Sequence, residues 1–300
     1  MTPILSLNKI SKTYGRIKAL QGVSFDVPEG SVFGILGPNG SGKTTLLGVV
    51  MNVLLTTAGA YSWFGRPSDE KQRREIGTLL ETPNFYHYLS ARRNLEITAG
   101  IKKKPLGDID RVLKLVNLYE RKESKFQTYS LGMKQRLAIA ACLLGDPSVL
   151  VFDEPTNGLD PAGIAEIRQL ITELARAGKT IILASHLLAE VEKVCTHVAI
   201  LQQGVLIRSG EVQAVLSQEQ WVELGAVDIE KLGELLNDIP GLKKILRSGN
   251  HLQVYFENKT PDAAWLNRFC FDRGIVLDFL QVKKTSLESA FIELTNHVSN

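Results

Sequence analysis

The sequence predicts an α/β protein built on a parallel sheet, followed by a smaller α+β domain. Three observations carry this. The apolar run Val32 to Leu36 leads through Gly37-Pro38-Asn39-Gly40-Ser41-Gly42-Lys43-Thr44-Thr45 into a second apolar run, Leu46 to Leu55. Two more apolar runs, Ser148 to Phe152 and Lys179 to Ala184, end in Asp153-Glu154 and in Ser185-His186. Continuous apolar runs of this length suit strands buried on both faces of a parallel sheet. From about Trp221 the order changes to strand, helix, strand, strand, helix, strand.

The first elements are read as strands. Ile4 to Tyr14 alternates weakly, and Tyr14-Gly15-Arg16 reads as a turn. Ala19 to Val27 forms a second strand closed by Pro28-Glu29-Gly30. An antiparallel opening is therefore expected. Tyr14, an aromatic at a strand end, is either a packed surface tyrosine or a stacking platform for a base.

The stretch Gly37 to Thr45 fits the phosphate-binding pattern G-x-x-x-x-G-K-[ST] between a strand and a helix. Glycines let the backbone turn tightly and aim N–H groups at an anion. The helix starting near Gly42 adds its positive dipole end. Lys43 suits the outer phosphates, and the Thr44 hydroxyl suits Mg²⁺.

Ala60 to Gly65 and Ile76 to Leu80 read as short strands. The aromatic loop Phe85-Tyr86-His87-Tyr88 follows, and either packs internally or presents an interface. Leu95 to Ile101 and Ile109 to Tyr119 read as helices, with Arg92-Arg93 and Lys102-Lys103-Lys104 as solvated faces. Ser130-Leu131-Gly132-Met133-Lys134-Gln135 precedes an apolar helix, Arg136 to Leu144. Ser130 either simply caps that helix or, with nearby N–H groups, forms a second anion site.

Asp153-Glu154 closes the run Ser148 to Phe152, and two adjacent carboxylates there call for a cation or a proton-transfer task. Asp160-Pro161 reads as an N-cap and a first-turn proline. The helix that follows carries Ile164, Ile167, Ile171 and Leu174 on one face and stops at Gly178. Strand ends of a parallel sheet lie on one edge, where ligands bind. The phosphate loop, Asp153, Glu154 and His186 should meet there. This set suits nucleoside triphosphate hydrolysis, with Asp153 on Mg²⁺, Glu154 polarising water and His186 at the γ-phosphate.

Val198 to Leu206 reads as a hairpin around Gln203-Gly204. The later pattern runs Trp221 to Val227, Ile229 to Ile239, Lys244 to Arg247, Leu252 to Phe256, Pro261 to Asp272 and Ile275 to Val282. That is the split order of a ferredoxin-like domain. A closing helix over 286–296 is expected. The expected domains are 1–215 and 220–300.

Composition narrows the function classes. A net charge of +3 over 300 residues argues for neither nucleic acid nor an anionic membrane surface. Cys142, Cys195 and Cys270 lie far apart without metal-ligand spacing, which fits a reducing cytosol. Met1 to Asn8 lacks the pattern of a secretory signal. No apolar run approaches the roughly 18–20 residues that span a bilayer.

With Gly37 to Thr45, Ser130 to Gln135, Val149 to Glu154, Gly158-Leu159-Asp160 and His186 in this order, the chain resembles the ATP-binding subunit of an ABC transporter. The resemblance covers residues 1 to about 215. It implies a P-loop ABC-type ATPase core with an antiparallel β subdomain and a helical subdomain at about 82–145. It implies ATP and Mg²⁺ as ligands. The Ser130 stretch becomes the signature motif, which contacts nucleotide on a second subunit in a head-to-tail dimer. Tyr14 falls at the adenine-stacking position, and Asp160 in the loop linking the two sites. The implied partners are an integral-membrane permease and a second ATP-binding subunit, identical or not, at the cytoplasmic face of the membrane; no nucleic acid is expected.

Two departures stand out. The signature reads Ser-Leu-Gly-Met-Lys-Gln rather than with a Ser-Gly-Gly-Gln core, and Glu81 stands where the family usually has glutamine. Both are similar to subunits of bacitracin-like and lantibiotic exporters, so export is expected. Glu81 adds charge near the phosphates, which implies a greater Mg²⁺ requirement or a sharper pH dependence than glutamine would give. Two other readings are a soluble ABC-type ATPase acting on ribosomes or DNA, and a regulatory subunit that dimerises on ATP. A single cassette with weak net charge argues against the first, and the set Asp153, Glu154 and His186 against the second.

Overall fold

The computed structural model describes residues 3–80, 84–215, 220–257, 262–284 and 287. The described residues divide into two compact units, 3–212 and 213–287.

The first unit opens with the antiparallel pair β1 (Pro3–Tyr14) and β2 (Ile17–Pro28). Strand β3 (Val32–Leu36), fully buried, leads into helix α1 (Lys43–Val50). Strands β4 (Ala58–Trp63) and β5 (Arg66–Pro67) complete a sheet of order β2-β1-β4-β5. A short helix α2 (Glu70–Arg73), closed by a capping box on Asp69, precedes β6 (Ile76–Leu79). The helical region holds α3 (Ala91–Lys102), α4 (Ile109–Leu115) and α5 (Leu131–Leu143). Then come β7 (Val149–Asp153), α6 (Pro161–Arg176), β8 (Thr180–Ser185), α7 (Leu188–Val194), β9 (His197–Gln202) and β10 (Val205–Glu211); the short α8 (Val212–Val215) starts on the last residue of this unit and runs into the second.

The second sheet has the order β10-β9-β3-β8-β7-β6, parallel except for β10. β3, β7 and β8 are buried along their whole lengths, as their unbroken apolar sequences require. One core joins the two sheets through α1: Leu7, Ile10, Leu20 and Phe25 meet Phe33, Ile35, Leu46 and Leu47. Phe25 and Phe33 stack with centroids 5.2 Å apart. Trp63 is fully buried and donates its indole N–H to Val50 O at 2.9 Å. Burying a side chain of this size contributes about 1.5–3 kcal/mol.

Several helices differ from the sequence reading, and in three the physical reason is plain. Helix α1 stops at Val50 rather than Leu55, because Asn52 turns left-handed (φ 56°) and both Val53 N and Leu54 N donate to Gly48 O. Helix α4 stops at Leu115 rather than Tyr119, where Asn117 (φ 54°) breaks the ladder. Helix α7 (LAEVEKV) is not part of the sequence reading, because seven residues are too short to show a helical period. The hairpin around Gln203-Gly204 is present, with both turn residues left-handed (φ 48° and 78°), as a two-residue I′ turn demands.

The second unit contains β11 (Gln220–Ala226), α9 (Ile229–Leu236), β12 (Leu242–Ser248), β13 (His251–Phe256), α10 (Ala263–Phe271) and β14 (Leu277–Lys284). Its sheet is antiparallel with order β12-β13-β11-β14. Val222, Leu224, Leu252 and Val254 pack against Leu232, Leu236, Leu266 and Cys270. On the sheet, Glu223 is buried and ion-paired to Lys283. The expected closing helix over 286–296 lies outside the described residues apart from Leu287.

Candidate nucleotide site

The site forms where three parallel strands end together. Leu36 of β3 faces Ser185 of β8, and Asp153 of β7 faces Ala184 of β8. The phosphate loop, the Asp153-Glu154 pair and His186 therefore leave the sheet at one edge.

The loop's glycines are structural necessities. Gly42 is left-handed (φ 105°), and a Cβ there would lie 2.6 Å from Ala19 O. At Gly37 a Cβ would lie 2.3 Å from Leu201 O and 2.4 Å from Ser41 Oγ. Gly42 caps α1 without any side-chain bond to its first amides, and the first turn holds no acidic residue. Those N–H groups face outward as an anion-binding end. The Ser41 hydroxyl is buried with no hydrogen-bond partner. The hairpin turn fastens the loop, since Gly204 N donates to Ser41 O at 3.0 Å and Gln21 N to Gly204 O at 2.8 Å.

Lys43 is buried, and its ammonium donates to Gly37 O at 2.8 Å and Pro38 O at 3.2 Å. It also lies 3.5 Å from Glu154 Oε1. The other carboxylate oxygen of Glu154 is 2.8 Å from His186 Nδ1. Glu154 sits at φ +46°, a left-handed conformation that costs a non-glycine residue about 1–3 kcal/mol. Its own N–H donates to Ala184 O at 3.0 Å, which holds it there. Asp153, one residue earlier, is buried at the end of β7.

A cavity of 420 Å³ opens on this edge, lined by Asn39, Gly40, Gly42, Lys43, Thr44, Thr45 and Glu154 on the loop side. Its other wall is Ile17, Lys18, Ala19 and Gln203. The sequence reading missed this second wall. Gln203-Gly204 was legible as a turn, but its place beside the loop depends on β9 pairing with β3.

The other candidates are not among the residues that line this cleft. Tyr14 is exposed at the end of β1, with Lys12 Nζ 4.9 Å above its ring, and is not among the lining residues. Ser130 caps α5 by accepting from Met133 N at 3.3 Å. Leu131 is exposed, Gln135 is buried, and Lys134 Nζ sits 5.5 Å above the Phe126 ring. None of Ser130, Leu131, Gly132, Met133, Lys134 and Gln135 lines the cavity. Asp160 caps α6 by accepting from Gly163 N at 2.9 Å. Pro38 belongs to the loop without lining the cavity. Glu81 lies outside the described residues.

The aromatic loop divides. Phe85 is half-buried, its ring 5.2 Å from Phe126, while Tyr86 and Tyr88 are exposed. The loop is held by the buried Asn94, which accepts from Tyr86 N at 2.8 Å and donates to Tyr86 O at 3.1 Å and Ser90 O at 3.0 Å.

Comparisons with known proteins agree with this geometry. Residues 20–157 match the family model described as ABC transporter. The chain is 36% identical over 298 residues to the uncharacterised ABC transporter ATP-binding protein YdbJ of Bacillus subtilis, covering 98% of this chain and 96% of that protein. It is 33% identical over 320 residues to the bacitracin transport ATP-binding protein BcrA of Bacillus licheniformis, covering 98% of each. Among solved structures, a dimeric post-hydrolysis ATP-binding cassette bound to ADP and Pi superposes with a TM-score of 0.62 at 26% identity, covering 69% of this chain and 98% of that one. The chain belongs to the ABC transporter family, as one of its ATP-binding and ATP-hydrolysing proteins.

Proposed function

We propose that this chain hydrolyses ATP to drive a separate membrane permease that exports a peptide antibiotic, a drug or a similar amphipathic substrate. The observation that carries the hydrolytic part is the meeting of Lys43, Glu154 and His186 at one phosphate-binding edge. The export reading is supported by the likeness to BcrA along nearly the whole of both chains. Among the described residues, no helix is long and apolar enough to cross a membrane. A permease supplied by another chain, with this one at the cytoplasmic face, accords with that.

In this reading the loop from Gly37 to Thr45 receives the phosphates on outward N–H groups, and Lys43 moves from Gly37 O and Pro38 O to the β- and γ-phosphates. Glu154 accepts the proton of the attacking water. His186 holds the Glu154 carboxylate in place and donates toward the γ-phosphate. Thr44 and Asp153 are the residues that would hold Mg²⁺. The donor set fits an ion bound partly by substrate: among the described residues no cluster of three His, Cys, Asp or Glu side chains could hold a metal alone, and Mg²⁺ commonly takes one or two protein ligands plus phosphate oxygens. When bound, that ion would neutralise charge developing on the phosphates.

The Ser130–Gln135 stretch would serve a nucleotide on a second ATP-binding subunit, with Asp160 between the two sites and Tyr14 stacking on adenine. The dimeric cassette among the relatives supports this arrangement. Glu81 would stand near the phosphates in place of glutamine. The second unit, with its β-α-β-β-α-β order and antiparallel sheet, is read as a ferredoxin-like accessory domain.

The test is Glu154→Gln. Loss of a general base typically costs about 10²- to 10⁴-fold in turnover, while nucleotide binding should persist. Turnover at the parent rate would remove Glu154 from this role. The permease is tested by gentle purification from solubilised membranes. A stoichiometric multi-spanning protein supports the transporter, and ribosomes, DNA or nothing attached would overturn it.

A further inference from the structure

The loop that carries His186 is held from behind by an ion-pair network that touches neither the cleft nor the phosphate loop. His186 lies between β8 and α7, a helix of only seven residues whose N-cap, Leu187, offers no side-chain cap. Such a helix has little stability of its own. Val191 packs it against Gly34 of β3, and Glu190, one turn beyond His186, ties it to α6. Glu190 Oε2 accepts from Arg168 Nη1 of α6 at 2.6 Å, and Glu190 Oε1 from Lys193 at 2.7 Å. Both carboxylate oxygens are thus engaged by cations. Arg168 and Glu190 are each only about a third exposed or less, at 33% and 23%.

Three further observations tie this pair to the site. Glu190 N donates to Leu187 O at 3.1 Å, and Leu187 N donates to Ser185 Oγ at 3.0 Å, so the carboxylate's own backbone closes the turn around His186. Helix α6, which supplies Arg168, begins at the Asp160 cap. A small apolar void beneath the pair is lined by Pro155 and Thr156, which directly follow Glu154, together with Ile171, Leu183, Ser185 and Val191. Segments leaving Glu154, His186 and Asp160 therefore meet under one charge-assisted contact. The contacts with Lys193 and Arg168 hold the Glu190 carboxyl below its ordinary range despite partial burial, so it is ionised at neutral pH.

We propose that Arg168 and Glu190 are positioning residues for ATP hydrolysis: their ion pair fixes α7 on α6 and so keeps His186 Nδ1 on the Glu154 carboxylate. The inference rests on the reading of Glu154 and His186 as hydrolytic residues. It adds that the histidine's placement is set by a bond made some distance behind the reacting groups.

The experiment compares Glu190→Gln, Arg168→Gln and their double variant with the parent full-length chain. Steady-state ATPase is read for kcat and KM, and the histidine side chains by ¹⁵N NMR, with the His186 signal assigned from its loss in His186→Gln. Each single variant should lower kcat about tenfold with KM for MgATP unchanged within twofold. The double variant should lose no more than either single one, because both remove the same contact. The His186 resonances should broaden or move, and the exchanged pair Arg168→Glu with Glu190→Arg should restore part of both. If the single variants melt with the parent yet leave kcat and the His186 signal unchanged, the proposal is overturned. If a glutamine variant fails to fold, the exchanged pair and Arg168→Lys take its place with the same two readouts. A His186 signal that moves while His186→Gln retains full turnover would keep the positioning contact and remove the hydrolytic role instead.

Discussion

Glu154 Oε2 lies 2.8 Å from His186 Nδ1, although thirty-two residues separate them. The contact is a consequence of register. Asp153 faces Ala184 across the β7–β8 pair and Glu154 N bonds to Ala184 O, so Glu154, one residue beyond β7, and His186, one residue beyond β8, leave the sheet side by side. The left-handed backbone of Glu154 turns its carboxylate toward both His186 and Lys43.

The phosphate loop should discriminate between its own glycines. Gly42→Ala sets a Cβ 2.6 Å from a fixed carbonyl, Ala19 O, whereas Gly40→Ala meets open space. The second change costs only a left-handed alanine, about 1–2 kcal/mol. The first should cost more and abolish nucleotide binding, because the loop must move off β2. Urea unfolding and titration with a fluorescent ATP analogue measure both; equal effects would mean that the contact with β2 does not shape the cradle.

Asn94→Ala should destabilise the first unit by about 1–3 kcal/mol, the usual cost of leaving buried partners unbonded. The effect should be local. Amides of residues 84–90 should exchange with solvent faster than those of α5, since the buried Asn94 side chain bonds the backbone at Tyr86 and Ser90. Uniform acceleration across the unit would contradict this.

The exposed aromatics are separable from the packed one. Tyr86→Ala should retain ATPase and stability and weaken association with the permease, because Tyr86 projects outward. Phe85→Ala should lower stability by about 1–3 kcal/mol through loss of its contact with Phe126. Thermal melting and co-purification with membranes distinguish the two. Membrane association unchanged in Tyr86→Ala would remove this loop from the interface.

Asp108 gives an acid-sensitive contribution. Arg111 binds its carboxylate, Gly145 N donates to it at 2.7 Å, and these hold it below the ordinary value of 3.8. A depressed carboxyl stabilises the fold above its unfolded pKa, and that contribution disappears as pH falls from there through the lower folded value. Asp108→Asn should therefore lower stability at pH 7 and shrink the difference from the parent near pH 3. Urea midpoints at the two pH values test the sign.

The cysteines should be silent until the chain unfolds. Burial raises the Cys142 thiol to about 11 and moves Cys195 upward as well. A disulfide reagent at pH 8 should modify neither in the native protein and both in denaturant. Fast native labelling of Cys195 would show that α7 opens readily from β3.

Much of the site was legible because each part is a local pattern. A glycine-rich loop between two apolar runs, a carboxylate pair after a buried strand, and serine or aspartate before an apolar helix each announce themselves within a few residues. Where local signals compete, the reading slipped. Apolar Val53, Leu54 and Leu55 continue the pattern of α1 in the sequence, but the left-handed Asn52 ends the helix and lets Leu54 pack on Gly48. Helix α7 was missed because its seven residues hold little periodicity, and its tether to α6 lies in an ion pair twenty-two residues apart.

The sequence by itself determined the family, the chemistry and the strand ends on which that chemistry sits, because backbone preference and burial act over short spans. Tertiary structure decided which groups touch. It chose the strand order that sets β3 and β7 on either side of β8, the left-handed Glu154 that reaches His186, the Gln203-Gly204 turn that walls the cleft, and the Arg168–Glu190 contact behind it. Those relations depend on register and packing between distant segments, and their energies exist only once the segments have been brought together.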